Sequence, residues 1–501
     1  MLRITIRKCE YIGRVTLDYA GYVDGVFVKG EGSVFQVENP SDESIVAEFA
    51  GVSAAQVDAA IGSARRAFDA GLWSGLSMKQ RAEVMRRFAE ALRSRADRLK
   101  ELAILEAGCP VNSTVMGAQV HAPLRMTDEI IDMFLKLPEL EENPLPLHER
   151  VNPYFVVQSL KKWSPLGVVS AISAYNVPFY TAFWKVVPAL MAGDSVVLRP
   201  NPLTPISALI FAEAAEEAGI PRGVLNVVLE GGLDGGQLMT TDRRVDLVSF
   251  TGSCTVGVKV AQQAAPTLKR LVLELGGKSA QIFLPDAVER AAMQAFQVCT
   301  SHAGQGCVLG TRVFVPQEAK AKVLEGMAAA VANVRIGVAS DPETQLGPVI
   351  SAAQRARCEH FTQAAVDAGG RVVTGGKRPA HMDKGYFFEP TVLDLPDNAN
   401  PAAQEEIFGP VIGVIGYRDL DQAVEMANDS QFGLSGWVHG LDKVKAVEIG
   451  SRIRSGAVNV NGAVMSSHAS GGGIKMSGIG RERGLEGFRA YQQMSVLNIG
   501  G

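Results

Sequence analysis

The sequence has no CxxC pair, no HExxH, no GxGxxG fingerprint and no block of like charge, and each absence closes off a class of protein. Its six cysteines (Cys9, Cys109, Cys254, Cys299, Cys307 and Cys358) are too few and too scattered in 501 residues for a disulfide framework. Such usage fits a reducing compartment, so a cytoplasmic location is expected. The seven histidines are dispersed, and no His/Cys cluster has metal-ligand spacing, so no metal is expected. Basic and acidic residues, 49 and 53, are well mixed and leave a net charge of −4. No basic stripe points to nucleic acid, and no polybasic patch to an anionic membrane. The N-terminal MLRITIRKCEYIG lacks an apolar core and does not read as a signal peptide. The most apolar long stretch, Val168 to Gly193, contains Asn176, Pro178 and Lys185. Those residues suit a buried strand followed by a helix better than a membrane span.

What is present is an ordinary globular composition, 47% hydrophobic and 20% charged. The length exceeds what one core supports, so two or three domains are expected. From Gly21, YVDGVFVKGEGSVFQVENP reads as short strands with Gly-rich turns, whereas the first 20 or so residues show no clear pattern. Ser53 can cap a helix carrying Val57, Ile61, Ala64 and Phe68 on one face, and Val84, Phe88, Ala91, Leu92 and Leu99 stripe another. Then GVVSAIS (167–173), DSVVLR (194–199), VLNVV (224–228) and DLVSF (246–250) alternate with helical stretches. A second such series follows Leu275: SAQIFL (279–284), TRVFV (311–315), RVVTGG (371–376) and VIGVIGY (411–417). The fold class expected is α/β, with two parallel sheets, each covered by helices. VNPYFVVQSLKKW (151–163) reads as one or two exposed strands.

Four places could carry chemistry. Cys307 sits in SHAGQGCVLGTR, where Gly304, Gly306 and Gly310 clear space around the sulfur. A lone Cys is otherwise a small buried hydrophobe. Glu274, in LVLELGGKS, could be an exposed strand carboxylate, or could face a cleft once Gly276-Gly277 turns the chain. Asn176 follows a parallel strand, at the end where ligands bind; it could donate to an oxyanion or simply form a turn before Pro178. FTGSCTVG (250–257) puts Gly252 and Ser253 at a strand-to-helix junction that suits phosphate or a plain helix cap.

Together these segments resemble the aldehyde dehydrogenase superfamily. The resemblance runs from about Gly21 to the C-terminus through SAYNVPF, LRPNPLTP, FTGSCTVG, LELGGKS, GQGC, LGPVIS, EEIFGP and GGGIKMSGIGRERG, with Cys307 following Glu274 at the family's spacing. It implies two Rossmann-like domains plus a small β arm. The cofactor-binding domain would span 1–144 and 165–272, the catalytic domain 273–487. Segments 145–164 and 488–501 would join subunits of a homodimer or homotetramer.

The resemblance also implies roles. Cys307 would attack the aldehyde, Asn176 would hold the oxyanion with the Cys307 N–H, Glu274 would activate water, and Lys185 would assist proton relay. Cofactor contacts would lie at Ser173, Ala174, Tyr175, Arg199, Pro202, Gly232, Gly236, Phe250, Thr251, Gly252, Ser253, Leu275, Gly276, Glu406 and Phe408. Substrate would meet Val177, Thr181, Trp184, Gly306, Val308 and Ser467. NAD is the expected cofactor. Relatives usually carry Lys at the adenosine ribose and often Glu three residues on, where this chain has Arg199 and Pro202, so NADP acceptance is expected to be open. His302 stands where many relatives have Asn, and Ala469-Ser470 where Pro-Phe is common. A Cys307–His302 hydrolase would leave Glu274 and the cofactor motifs without purpose. A CoA-acylating relative generally lacks the base glutamate, and a non-catalytic relative should have lost Cys307, Glu274 or Asn176.

Overall fold

The β-branched runs become strands because each is apolar on both faces and has helices to bury against. The computed structural model describes residues 4–9, 12–146, 156–463, 466 and 468–500. In the first sheet, Arg270–Glu274, Leu247–Thr251, Val168–Ile172, Ser195–Arg199 and Leu225–Val228 lie side by side and parallel. The hairpin Gly21–Val23/Val26–Val28 extends one edge antiparallel, turning at Asp24 and Gly25, both with positive φ. The other edge is closed by Gly478–Ile479, which arrives from the far end of the sequence and pairs Gly478 with Glu274. In the second sheet, Thr391–Asp394, Val411–Tyr417, Arg312–Pro316, Ala280–Phe283, Ser435–His439 and Ala457–Val460 run parallel, with Arg371–Thr374 antiparallel at one edge. Helices bury their apolar sides on both sheets, which is the α/β class expected.

Local signals explain the helix starts. Ser53 caps Ala54–Asp69 by accepting from the Gln56 N–H, and the Gln56 side chain returns the bond to Ser53 N. Pro178 opens Pro178–Ala192, and Gly193 ends it in the left-handed region. The core of the first sheet wraps Trp184, Phe183 and Phe211, all essentially buried. A third sheet joins Gln492–Gly500, Val156–Pro165 and Leu140–Glu142, and projects apolar Met494, Val496, Leu497 and Ile499 outward. The patternless N-terminus also contains a pair of strands, Ile4–Cys9 with Ile12–Leu17. No helix among the described residues is long and apolar enough to cross a membrane.

Candidate active site

The parallel strands of the first sheet end on one cavity of about 1320 Å³ between the two sheets. Loops after Val168–Ile172, Ser195–Arg199, Leu247–Thr251 and Arg270–Glu274 form one wall, as expected at the carboxyl edge of a parallel sheet. The segment 301–309 and residues 405–408 form the facing wall.

Cys307 is half-buried in that cavity. Burial, with the nearby carboxylates of Glu406 and Glu274, pushes its thiol up to about 12, and the Arg483 charge opposes them. Its loop is under backbone tension: His302 and Ala303 hold φ of 50° and 51°, followed by Gly304 at 73°. Left-handed non-glycine residues in sequence need strong external restraint. That restraint is Gln305. Its side-chain amide reaches the His302 and Pro348 carbonyls, its Oε1 accepts from Ile350 N at 2.9 Å, and its own carbonyl accepts from Asn176 Nδ2 at 2.8 Å. The Asn176 carbonyl in turn accepts from His302 Nε2 at 2.6 Å. A carbonyl can only accept, so Nε2 carries the hydrogen; burial lowers the imidazole to about 4 and keeps it neutral. His302 is thus a clip on Asn176. One amide hydrogen of Asn176 is spent on Gln305, leaving the second for a developing oxyanion.

Glu274 is the last residue of its strand, and its Oε1 is buried without a hydrogen-bond partner. Gly472 lies against it: a Cβ there would stand 2.8 Å from Oε1. Burial and the neighbouring Glu482 push Glu274 up to about 8, against the opposing charges of Lys185, Arg483 and Arg481. Lys185 does not line the cavity. It is wholly buried behind it, 2.5 Å from Glu482 Oε1 and 3.2 Å from Ser249 Oγ. Breaking such a pair by removing one partner costs about 3–5 kcal/mol. Glu482 itself reaches the cavity wall and joins Lys185 to the Glu274 side. Glu482 and Gln305 are functional candidates that sequence reading missed.

The other end of the cavity fits a dinucleotide. Ser173 Oγ and Thr251 Oγ1 are buried there without partners. Helix Cys254–Ala264 opens onto it, capped by Ser253, whose Oγ accepts from Val256 N. Ala174, Tyr175, Pro202, Gly232, Phe250, Gly252, Leu275 and Gly276 also line it. Glu406 accepts from Gly277 N at 2.9 Å, and a side chain at Gly276 would overlap its carboxylate. Phe408, with φ of 60°, stands edge-on to Tyr175. Gly236 is placed differently: it lies outside the cavity and gives its N–H to Glu230.

Arg199 lines the cavity but is not a free cation. Its Nε lies 2.7 Å from Glu230 Oε2 and its Nη2 2.5 Å from the Gly232 carbonyl. Glu230 also accepts from Gly235 N and Gly236 N, at the start of Asp234–Thr241. Glu230 lies behind the cavity wall and offsets the Arg199 charge from there. Val177, Thr181, Trp184, Gly306 and Val308 line the entrance side of Cys307; Ser467 lies outside the described residues.

A half-buried thiol, an isolated carboxylate and a dinucleotide-sized extension in one cleft between two α/β sheets define a class: cofactor-linked enzymes that work through a covalent cysteine adduct. The aldehyde dehydrogenase family model matches residues 27–497, and the chain belongs to that family. A geranial dehydrogenase of Castellaniella defragrans is 36% identical over 462 residues, 92% of this chain and 94% of the relative. A betaine aldehyde dehydrogenase of Bacillus subtilis is 32% identical over 486 residues, 94% of this chain and 96% of its own. Among solved structures, a betaine aldehyde dehydrogenase mutant of Staphylococcus aureus with NAD+ and a modified cysteine superposes with a TM-score of 0.92, at 32% identity, covering 97% of this chain and 98% of that one. Aldehyde dehydrogenase C of Pseudomonas syringae, a cysteine-to-alanine mutant with NAD+ and octanal, superposes at 0.90, with 35% identity and 96% coverage of each chain.

Proposed function

We propose that the protein oxidises an aldehyde to the carboxylic acid with NAD+ and water, using Cys307 as nucleophile and Glu274 as base. The observation that carries this is Glu274 itself: a carboxylate with a buried, unbonded oxygen and a pKa raised to about 8, on the same cavity as Cys307, the half-buried thiol that follows the strained 302–304 turn. A base poised near neutral pH is what water activation requires. Cys307 Sγ adds to the aldehyde carbon, and the new oxyanion is met by the free Asn176 amide hydrogen and the Cys307 N–H. One such donor is worth about 3–4 kcal/mol in the transition state. Bound NAD+ supplies the hydride acceptor. Glu274 takes a proton from water as it attacks the Cys307 thioester, the C–S bond breaks and the sulfur leaves as thiolate, and Glu274 gives its proton to bulk water through the cleft, while the Glu482–Lys185 pair sets the charge around Glu274. Because Glu274 favours hydrolysis, the acid is the product, not an acyl-CoA.

The adenosine end supports NAD over NADP. Arg199 is neutralised by Glu230, so a 2′-phosphate gains little from it. The outward apolar residues of Gln492–Gly500 support pairing with further copies of the chain, and the absence of disulfides among the described cysteines suits a cytoplasmic enzyme.

Cys307→Ala should abolish NADH formation across an aldehyde panel while leaving NAD+ binding, followed by fluorescence quenching, intact. Normal turnover by that variant overturns the mechanism.

A further inference from the structure

Arg483 is a charged side chain of the cavity that the mechanism does not use. Arg483 lines the acyl side of the pocket, yet no carboxylate lies within ion-pair distance of it among the described residues. Its neighbours in sequence are already committed: Glu482 to Lys185, and Arg481 to the carbonyls of Gly473 and Gly480. Arg483 instead donates to Tyr180 Oη at 3.2 Å and lies 5.8 Å from the Trp184 ring centroid. The backbone is unusual as well. Arg483 holds φ 60° and ψ 169°, a region that glycine occupies freely and side-chain-bearing residues avoid. Gly471 makes room for the guanidinium, since a Cβ there would stand 2.5 Å from Nη2.

These facts converge. Apolar and aromatic Val115, Ala118, Val177 and Trp184 line the same cavity. Half-buried and without a counter-ion, the guanidinium keeps donors available to an incoming anion, and a strained backbone holds it there. Arg483 flanks Gly471 while Glu274 flanks the adjacent Gly472, so the guanidinium stands close to the reacting centre. Arg483 charge is felt at both Cys307 and Glu274.

We propose that Arg483 is the anion-recognition residue of the acyl pocket, and that the preferred substrates are aldehydes carrying a carboxylate at the other end of a short chain. The proposal rests on the aldehyde-oxidising reading of this cavity. The substrate carboxylate supplies the missing counter-ion, the apolar wall takes the methylenes between, and the tethered aldehyde is directed to Cys307. A planar guanidinium suits a carboxylate better than an ammonium does, because it can offer two parallel donors.

The test compares ω-oxocarboxylates of three to eight carbons with the matching ω-oxoamides, which have the same shape and no charge. NADH formation is followed for the unsubstituted enzyme, Arg483→Gly and Arg483→Lys. Glycine adopts the observed φ and ψ without strain, so Arg483→Gly removes the cation while suiting the backbone. The unsubstituted enzyme should favour the carboxylate by about tenfold or more in kcat/KM at one chain length at least, mainly through KM, and the preference should shrink with added salt. Arg483→Gly should bring kcat/KM for the carboxylate and the amide together at every chain length, whatever its overall rate; Arg483→Lys should retain part of the preference. The proposal is overturned if no chain length shows a carboxylate preference, or if Arg483→Gly preserves one. Failure of the underlying reading looks different: neither series would yield NADH at all.

Discussion

Replacing Glu274 by Gln should move the two halves of the reaction in opposite directions. With a pKa near 8, about a tenth of Glu274 is ionised at pH 7 in the free enzyme, so deacylation should rise roughly tenfold as pH passes through 8. Glutamine keeps the shape and removes the base, which should slow thioester hydrolysis by about 10²–10⁴. The same carboxylate raises the Cys307 thiol by charge repulsion. Burial and Glu406 contribute more to the raised thiol than Glu274 does, so removing Glu274 cannot raise it further, and attack on the aldehyde should be no slower than in the parent enzyme. Stopped-flow NADH absorbance separates the steps. The variant should give a burst stoichiometric with active sites, followed by a steady rate that has lost its rise through pH 8. Loss of the burst together with the steady rate would refute this reasoning, because Glu274 would then be needed to take the Cys307 proton.

The same variant makes a stability prediction. An acid raised in the folded state binds more protons folded than unfolded, so its contribution to stability falls as pH climbs from about 4.5 to about 8. Glu274→Gln should therefore stabilise the fold, by about 3 kcal/mol at pH 7, with the gain disappearing below pH 4.5 in urea titrations. Glu482→Gln removes a carboxylate that raises Glu274 and frees Lys185 to lower it, so the rising limb of kcat against pH should shift to lower pH; an unmoved limb would disconnect Glu482 from Glu274. Glu230→Gln leaves Arg199 with an uncompensated charge, and the NADP/NAD ratio of kcat/KM should rise about tenfold; an unchanged ratio would remove Glu230 from cofactor choice.

Much of the fold was readable because its strands are short apolar runs separated by helical periodicity, and both sheets use them where expected. Ser53 was legible as a cap because its chemistry is local. What escaped was non-local. Read alone, Glu274 alternates with leucines as an exposed strand residue would; it is covered because Gly478–Ile479 and Gly472 arrive from some 200 residues later. Glu482 and Arg483 lie in GGGIKMSGIGRERG, a segment that names no partner for either charge, yet one is buried against Lys185 and the other lines the cavity. Arg199 and Pro202 left the choice between NAD and NADP open, and the Glu230 that pairs with Arg199 comes from another loop, out of reach of a local comparison. Gln305 carried no signal beyond its place beside the nucleophile.

The edge strand Gly478–Ile479 also sets an order of events. The strand that leads to Asn176 and those that carry Arg199 and Glu274 are all made by residue 274, but apart from Lys185 the groups that seat and tune Glu274 come from 472 to 483. A contact spanning about 200 residues is among the slowest a chain can close. During synthesis the first sheet can therefore assemble its interior well before it has a working base. The protein acquires its chemistry only with its final segment, and a chain cut near residue 470 would keep most of its hydrophobic core while holding Glu274 open to water.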